Sequence, residues 1–103
     1  MSGNISEEYR VAAKHWVEAD AAASLMEECK TPTLSQMMLA TGADSVSRSE
    51  MLAKASPEWK EYIDKMVEAR RKANLLKVQL KWIEMKYGEQ QSAEATARAE
   101  RRL

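Results

Sequence analysis

One hundred and three residues make one domain at most, since domains usually hold about 100–200. Sixteen basic and sixteen acidic side chains cancel to zero formal charge, and the 45% hydrophobic fraction rests on 16 Ala and 7 Met, with 16 Ile, Leu and Val together and no Phe. So thin a supply of large core-formers counts against sheet architectures and against a closed catalytic pocket, whereas abundant Ala, Met, Glu, Lys, Arg and Gln favour helices.

Asn4 or Ser6 can cap a first helix, with Glu7 and Glu8 at the positive end of its dipole. From Ile5 a seam runs through Tyr9, Ala12, Trp16, Ala19, Ala23 and Met26 at alternating spacings of 4 and 3. That is the pattern of a helix lying along another helix, and its small residues permit a close approach. Residues 5–30 are therefore read as one helix of about 39 Å. Thr31-Pro32 interrupts it, because proline is excluded from helix interiors but suits the first helical position, with Thr31 as the cap. A short helix carrying Leu34, Met37 and Met38 is expected from there to about Gly42, and Gly42-Ala43-Asp44-Ser45 reads as a loop. Ser47-Arg48-Ser49-Glu50 has the form of a capping box for another short helix with Met51 and Leu52. Residues 31–56 thus form a compact connector.

Ser56-Pro57-Glu58 supplies a cap, a proline at the first helical position and an acid in the first turn. A second seam follows through Trp59, Tyr62, Met66, Ala69, Ala73, Leu76, Leu80, Ile83 and Tyr87, again alternating 3 and 4. Residues 57–87 would span about 46 Å. Two helices of similar length joined by a compact turn make an antiparallel hairpin. Residues 1–88 are accordingly read as the hairpin domain, and 89–103 as a charged, Ala-rich helical tail that has lost the seam and frays.

The long helix carries a second apolar stripe. Leu75, Val78, Trp82 and Met85 are spaced 3, 4 and 3 and point roughly 160–200° away from the seam. A hairpin covers one face of its long helix, so this stripe is expected to meet a second copy of the chain or a protein partner, unless the connector or the tail folds back over it. Aromatic and Met side chains at the centre of such a patch are the usual anchors.

Zero net charge conceals a split. Residues 1–56 hold eight acids and five bases, and residues 57–103 hold eight acids and eleven bases. Between 70 and 86 six bases stand against Glu84 alone. Either the acidic and basic helices complement each other along the hairpin flanks, or Arg70, Arg71, Lys72, Lys77 and Lys81 form a phosphate-binding stripe with Trp82 to stack on a base. The second possibility makes an accessory nucleic-acid-binding protein the alternative function.

Little else carries chemistry. His15 and Glu18 reverse the order of the E-x-x-H ligand pair of di-iron bundles, and the pair occurs once. Cys29, alone in the sequence, permits no internal disulfide and suits a reducing compartment. No glycine-rich phosphate loop, C-x-x-C or H-E-x-x-H is present. Catalytic residues, metal, cofactor and small-molecule substrate are therefore not expected, and the chain is not expected to be an enzyme. No apolar run approaches the roughly 18–20 residues that span a bilayer, and no basic-then-apolar leader opens the sequence, so a cytoplasmic protein is expected.

The stretch from Ser56 to Tyr87 with its S-P-E-W start, together with the later E-A-T-A-R-A-E run, resembles small uncharacterised all-helical proteins carried by bacteriophages and prophages. That resemblance implies a short accessory protein in the host cytoplasm that binds a host or phage protein or assists DNA recombination or metabolism, and it transfers no functional residue. The reading as a whole is an all-α fold: two long antiparallel helices, a helical hairpin or coiled coil, joined by a connector with short helices and oligomerising into a bundle. Its function is expected in protein–protein interaction through Leu75, Val78, Trp82 and Met85.

Overall fold

The computed structural model describes residues 5–102. Four helices account for nearly all of them: α1 (Ile5–Glu28), α2 (Lys30–Ala40), α3 (Val46–Lys54) and α4 (Pro57–Arg102). The fold is all-α, with no strand among the described residues, as a chain rich in Ala and long charged side chains requires. Its extents are 84 × 24 × 17 Å and its radius of gyration is 23.2 Å, where a globule of this length would have about 13 Å. The rod shape follows from α4, whose 46 residues rise about 69 Å.

Packing between α1 and α4 supplies the core. Tyr9 bonds to Glu84, Glu8 pairs with Lys86, Arg70 reaches Asp20 and Glu27, and the Tyr62 hydroxyl donates to the carbonyl of Met26. Every seam residue of α1 from Ile5 to Met26 is at least half-buried, and so is every seam residue of α4 from Trp59 to Ile83. Ala23 and Ala73 are 0% exposed, which is the purpose of small residues where two helix backbones come close. Trp59 closes one end of the seam, stacked on Tyr62 with ring centroids 5.9 Å apart. At the other end Tyr87 is already 44% exposed.

The connector differs from expectation at its two starts. The restart predicted at Thr31-Pro32 falls earlier: α1 ends at Glu28, Cys29 intervenes, and α2 begins at Lys30 without a side-chain cap. Proline lacks an N–H, and its ring clashes with the carbonyl four residues back, which here is that of Glu28. Bonds on either side survive, from Cys29 N–H to the Leu25 carbonyl at 3.0 Å and from Thr33 N–H to the Cys29 carbonyl at 2.9 Å, so the disturbance lies between these two rungs. The cap of α3 is Ser45 rather than Ser47: Ser45 is extended (φ −131°, ψ 153°) and its Oγ accepts from Arg48 N–H at 3.2 Å. The loop before it turns at Gly42, with φ +68°, a left-handed conformation that glycine adopts without strain.

Helix α4 starts as the sequence predicts, with Ser56 Oγ accepting from Trp59 N–H at 3.2 Å. It then runs unbroken through Gly88 to Arg102. For α1, the cap expected at Asn4 lies outside the described residues, and Ser6 stands inside the first turn rather than at its cap. No helix among the described residues is long and apolar enough to cross a membrane.

Candidate interaction surface

Two faces of α4 carry side chains of comparable size, and the structure treats them differently. On the inner face Arg70 clips the helix to α1. Its Nη1 donates to Asp20 Oδ1 at 2.7 Å, its Nε and Nη2 donate to the two carboxylate oxygens of Glu27 at 2.9 and 2.8 Å, and Nη2 also reaches Ser24 Oγ at 3.2 Å. The planar fork of a guanidinium suits this bidentate geometry. Arg70's hydrogen bond holds the Glu27 carboxyl below its usual range, and the two carboxylates together hold the Arg70 charge still more firmly. Farther along, Tyr9 Oη donates to Glu84 Oε1 at 2.9 Å, which raises the Tyr9 phenol above its ordinary value.

The outer face has no such cover. Leu75, Val78, Trp82 and Met85 are between 52% and 65% exposed. Neither fold-back that could have hidden them occurs. The connector joins α4 at Pro57, at least eighteen residues or about 27 Å before the stripe, and the tail continues straight on as helix. Val67, exposed like the others, extends the line toward the N-terminus, with Arg71 between it and Leu75. Lys86 Nζ sits 5.4 Å from the centroid of the Trp82 ring, a cation–π distance, and 3.8 Å from Glu8 Oε2.

The five basic residues expected to form a phosphate stripe are separated. Arg70 is engaged with α1: its donors face the carboxylates of Asp20 and Glu27. Arg71 lies on the outer line and donates to Glu68 Oε1 at 3.2 Å. Lys72 lies on one flank of the seam, beside His15, Glu18 and Leu76, while at 100° per residue Lys77 and Lys81 fall on the other. All three are exposed and have no ion-pair partner among the described residues. The acid and base excesses of the two halves meet instead across the helix pair, at Arg70 with Asp20 and Glu27 and at Lys86 with Glu8.

Three features of α4 carry no signal in the heptad spacing: Val67 on the outer line and two phenol hydrogen bonds to α1. Val67 was overlooked because it stands eight residues before Leu75 and so outside a strict 3-and-4 repeat, although two helical turns and a fraction bring it to the same side. The Tyr9–Glu84 and Tyr62–Met26 bonds join a phenol to a distant acceptor, and no spacing signals them. His15 is exposed and Cys29 half-buried, and among the described residues no three His, Cys, Asp or Glu side chains gather as a metal site would need. The chain matches no protein-family model, no curated protein and no solved structure.

Proposed function

We propose that the chain is a helical protein-interaction module without enzymatic activity: an antiparallel α1–α4 hairpin whose working surface is the outer line of α4 centred on Trp82. One observation carries the reading. Four large apolar side chains at 52–65% exposure lie on the face of α4 opposite α1, on a chain with few large apolar residues to place anywhere. A contiguous apolar patch of this kind, with an aromatic at its middle and lysines at its edges, is what association surfaces look like before they are covered.

The test is the mass in solution, by light scattering after size exclusion, for the wild type and for Trp82→Glu. The wild type is expected above the 11.7 kDa of one chain, and Trp82→Glu at one chain with its helical circular dichroism unchanged. A variant that keeps the wild-type mass, or that loses its helical signal, overturns the reading.

A nucleic-acid role for the basic stretch 70–86 is the second reading, supported by the exposure of Lys72, Lys77 and Lys81 without ion-pair partners among the described residues. Titration of a labelled oligonucleotide at several salt concentrations tests it. Phosphate contacts give an affinity that falls steeply with salt, and absence of binding at low salt removes it.

A further inference from the structure

The geometry points to a second copy of this chain as the occupant of the outer line, laid antiparallel along α4 about a two-fold axis at residue 80. This rests on reading that line as an association surface, and it adds orientation, register and the charged groups that fix them.

At 100° per residue the outer line of α4 is a straight strip about 80° wide, and it does not stop at the apolar residues. Arg71 flanks Leu75 on one side and Glu89 flanks Met85 on the other, both exposed and both on the strip. A two-fold axis at residue 80 exchanges Val78 with Trp82 and Leu75 with Met85, so apolar meets apolar. It sets Arg71 against Glu89 of the second copy, twice over. Farther out Val67 meets Ala93, Asp64 meets Thr96, and Lys60 meets Glu100. Each layer is therefore apolar on apolar, opposite charge on opposite charge, or charge on a hydroxyl.

Other arrangements of the same strip lose this matching. A parallel pair in register places Arg71 on Arg71 and Glu89 on Glu89. Sliding the antiparallel pair by one heptad sets Glu89 against Asp64 in one direction and against Val78 in the other. On the flanks of the favoured register Lys81 meets its own copy near the axis and Lys72 lies toward Lys86, but long lysine stems let those ammonium groups turn out to water. Because the strip faces away from α1, neither hairpin obstructs the other. The same axis brings residues 88–102, where only Ala97 is as much as half-buried, alongside residues 58–72 of the second copy. A contact between two single helices lies at the low end of stable interfaces, which bury about 1,200–2,000 Å², so association is expected to depend on concentration in the micromolar range.

Sedimentation equilibrium on the full chain, from micromolar to near-millimolar concentration, tests this with Arg71→Glu, Glu89→Arg, the two combined, and Trp82→Glu. The wild type is expected to form a dimer. Each single charge reversal creates two like-charge pairs and should weaken it about tenfold, whereas the double reversal restores opposite charges and should return to within about threefold of the wild type. A dimer that ignores the single reversals, or that the double reversal fails to recover, overturns the antiparallel register; if Trp82→Glu still dissociates that dimer, the association surface stands without it. A wild type that stays monomeric at every concentration overturns the inference outright, and with it the self-association that the surface was invoked to explain.

Discussion

The inner and outer faces of α4 repeat large apolar residues at the same 3-and-4 spacing, yet one is buried and the other is open. What separates them is what stands between the large residues. The inner seam sets Ala69 and Ala73 between Met66 and Leu76, and α1 offers Ala12, Ala19 and Ala23 along its own seam; alanines let two backbones approach until large neighbours interdigitate. The outer line has no small residue between Leu75 and Met85 and no alanine-bearing helix beside it. That stretch is flanked by charges of opposite sign. Periodicity alone marks a helix face that seeks cover, and the intervening residues tell whether the cover belongs to the same fold.

That contrast can be broken from the inner side first. Trp59 is 8% exposed and stacked on Tyr62, so Trp59→Ala should cost about 3–5 kcal/mol in urea denaturation, the largest loss of any substitution considered. Ala73→Leu attacks the close approach itself. With no exposed surface at that alanine, the added side chain forces the helices apart, and a loss of about 1–3 kcal/mol is expected by the same measurement.

Arg70→Gln removes the clip and should lower Tm by several degrees. It also carries a pH signature. The folded-state pKa of Glu27 lies below the ordinary carboxylate value of 4.5 because Arg70 donates to it. Its contribution is therefore complete above that ordinary value and is lost as pH falls through the lower folded-state value. In thermal melts the wild type should show this acid loss, and Arg70→Gln should show it less.

Smaller effects sharpen the contrast from the outer side. Gly88 has open space where a Cβ would stand, so Gly88→Ala should stabilise the helix beyond it by about 0.5–1 kcal/mol, read as added helical dichroism. Smallest of all is the effect of Trp82→Glu on folding. Below the concentration of any assembly, its urea midpoint should correspond to a change within about 0.5 kcal/mol, although the same substitution is expected to abolish association.

Much of the helix pair was legible in the residues because a heptad seam is a direct image of helix-on-helix packing. Ile5 to Met26 and Trp59 to Ile83 were all placed on buried faces by spacing alone, and the Ser56 cap of α4 by its Ser-Pro-Glu sequence. The interruption near Pro32 was foreseen but placed late, because the consequence of a missing N–H appears at the carbonyl four residues earlier. Between Ser45 and Ser47 no local rule decides; the extended backbone after the Gly42 turn does. Charge was legible only in bulk. The split between acidic and basic halves pointed equally to complementary flanks and to a phosphate stripe, and it took the position of Arg70 between Asp20, Ser24 and Glu27 to give that residue to α1.

Gly88 stands one residue past the half-exposed Tyr87, the last residue of α4 beside Ile5 and Tyr9 among the described residues. A glycine costs a helix interior about 1 kcal/mol relative to alanine, and beyond it α4 has no tertiary packing among the described residues to repay that cost. Helix opening from the C-terminal end therefore meets no resistance beyond local hydrogen bonding until it reaches this point, where the seam begins. Residues 89–102 should fray progressively, exchanging their amide hydrogens orders of magnitude faster than Leu76 to Ile83. The length over which this single helix stays wound is then variable, and a neighbour lying against its far end would act on the chain by setting where the winding stops.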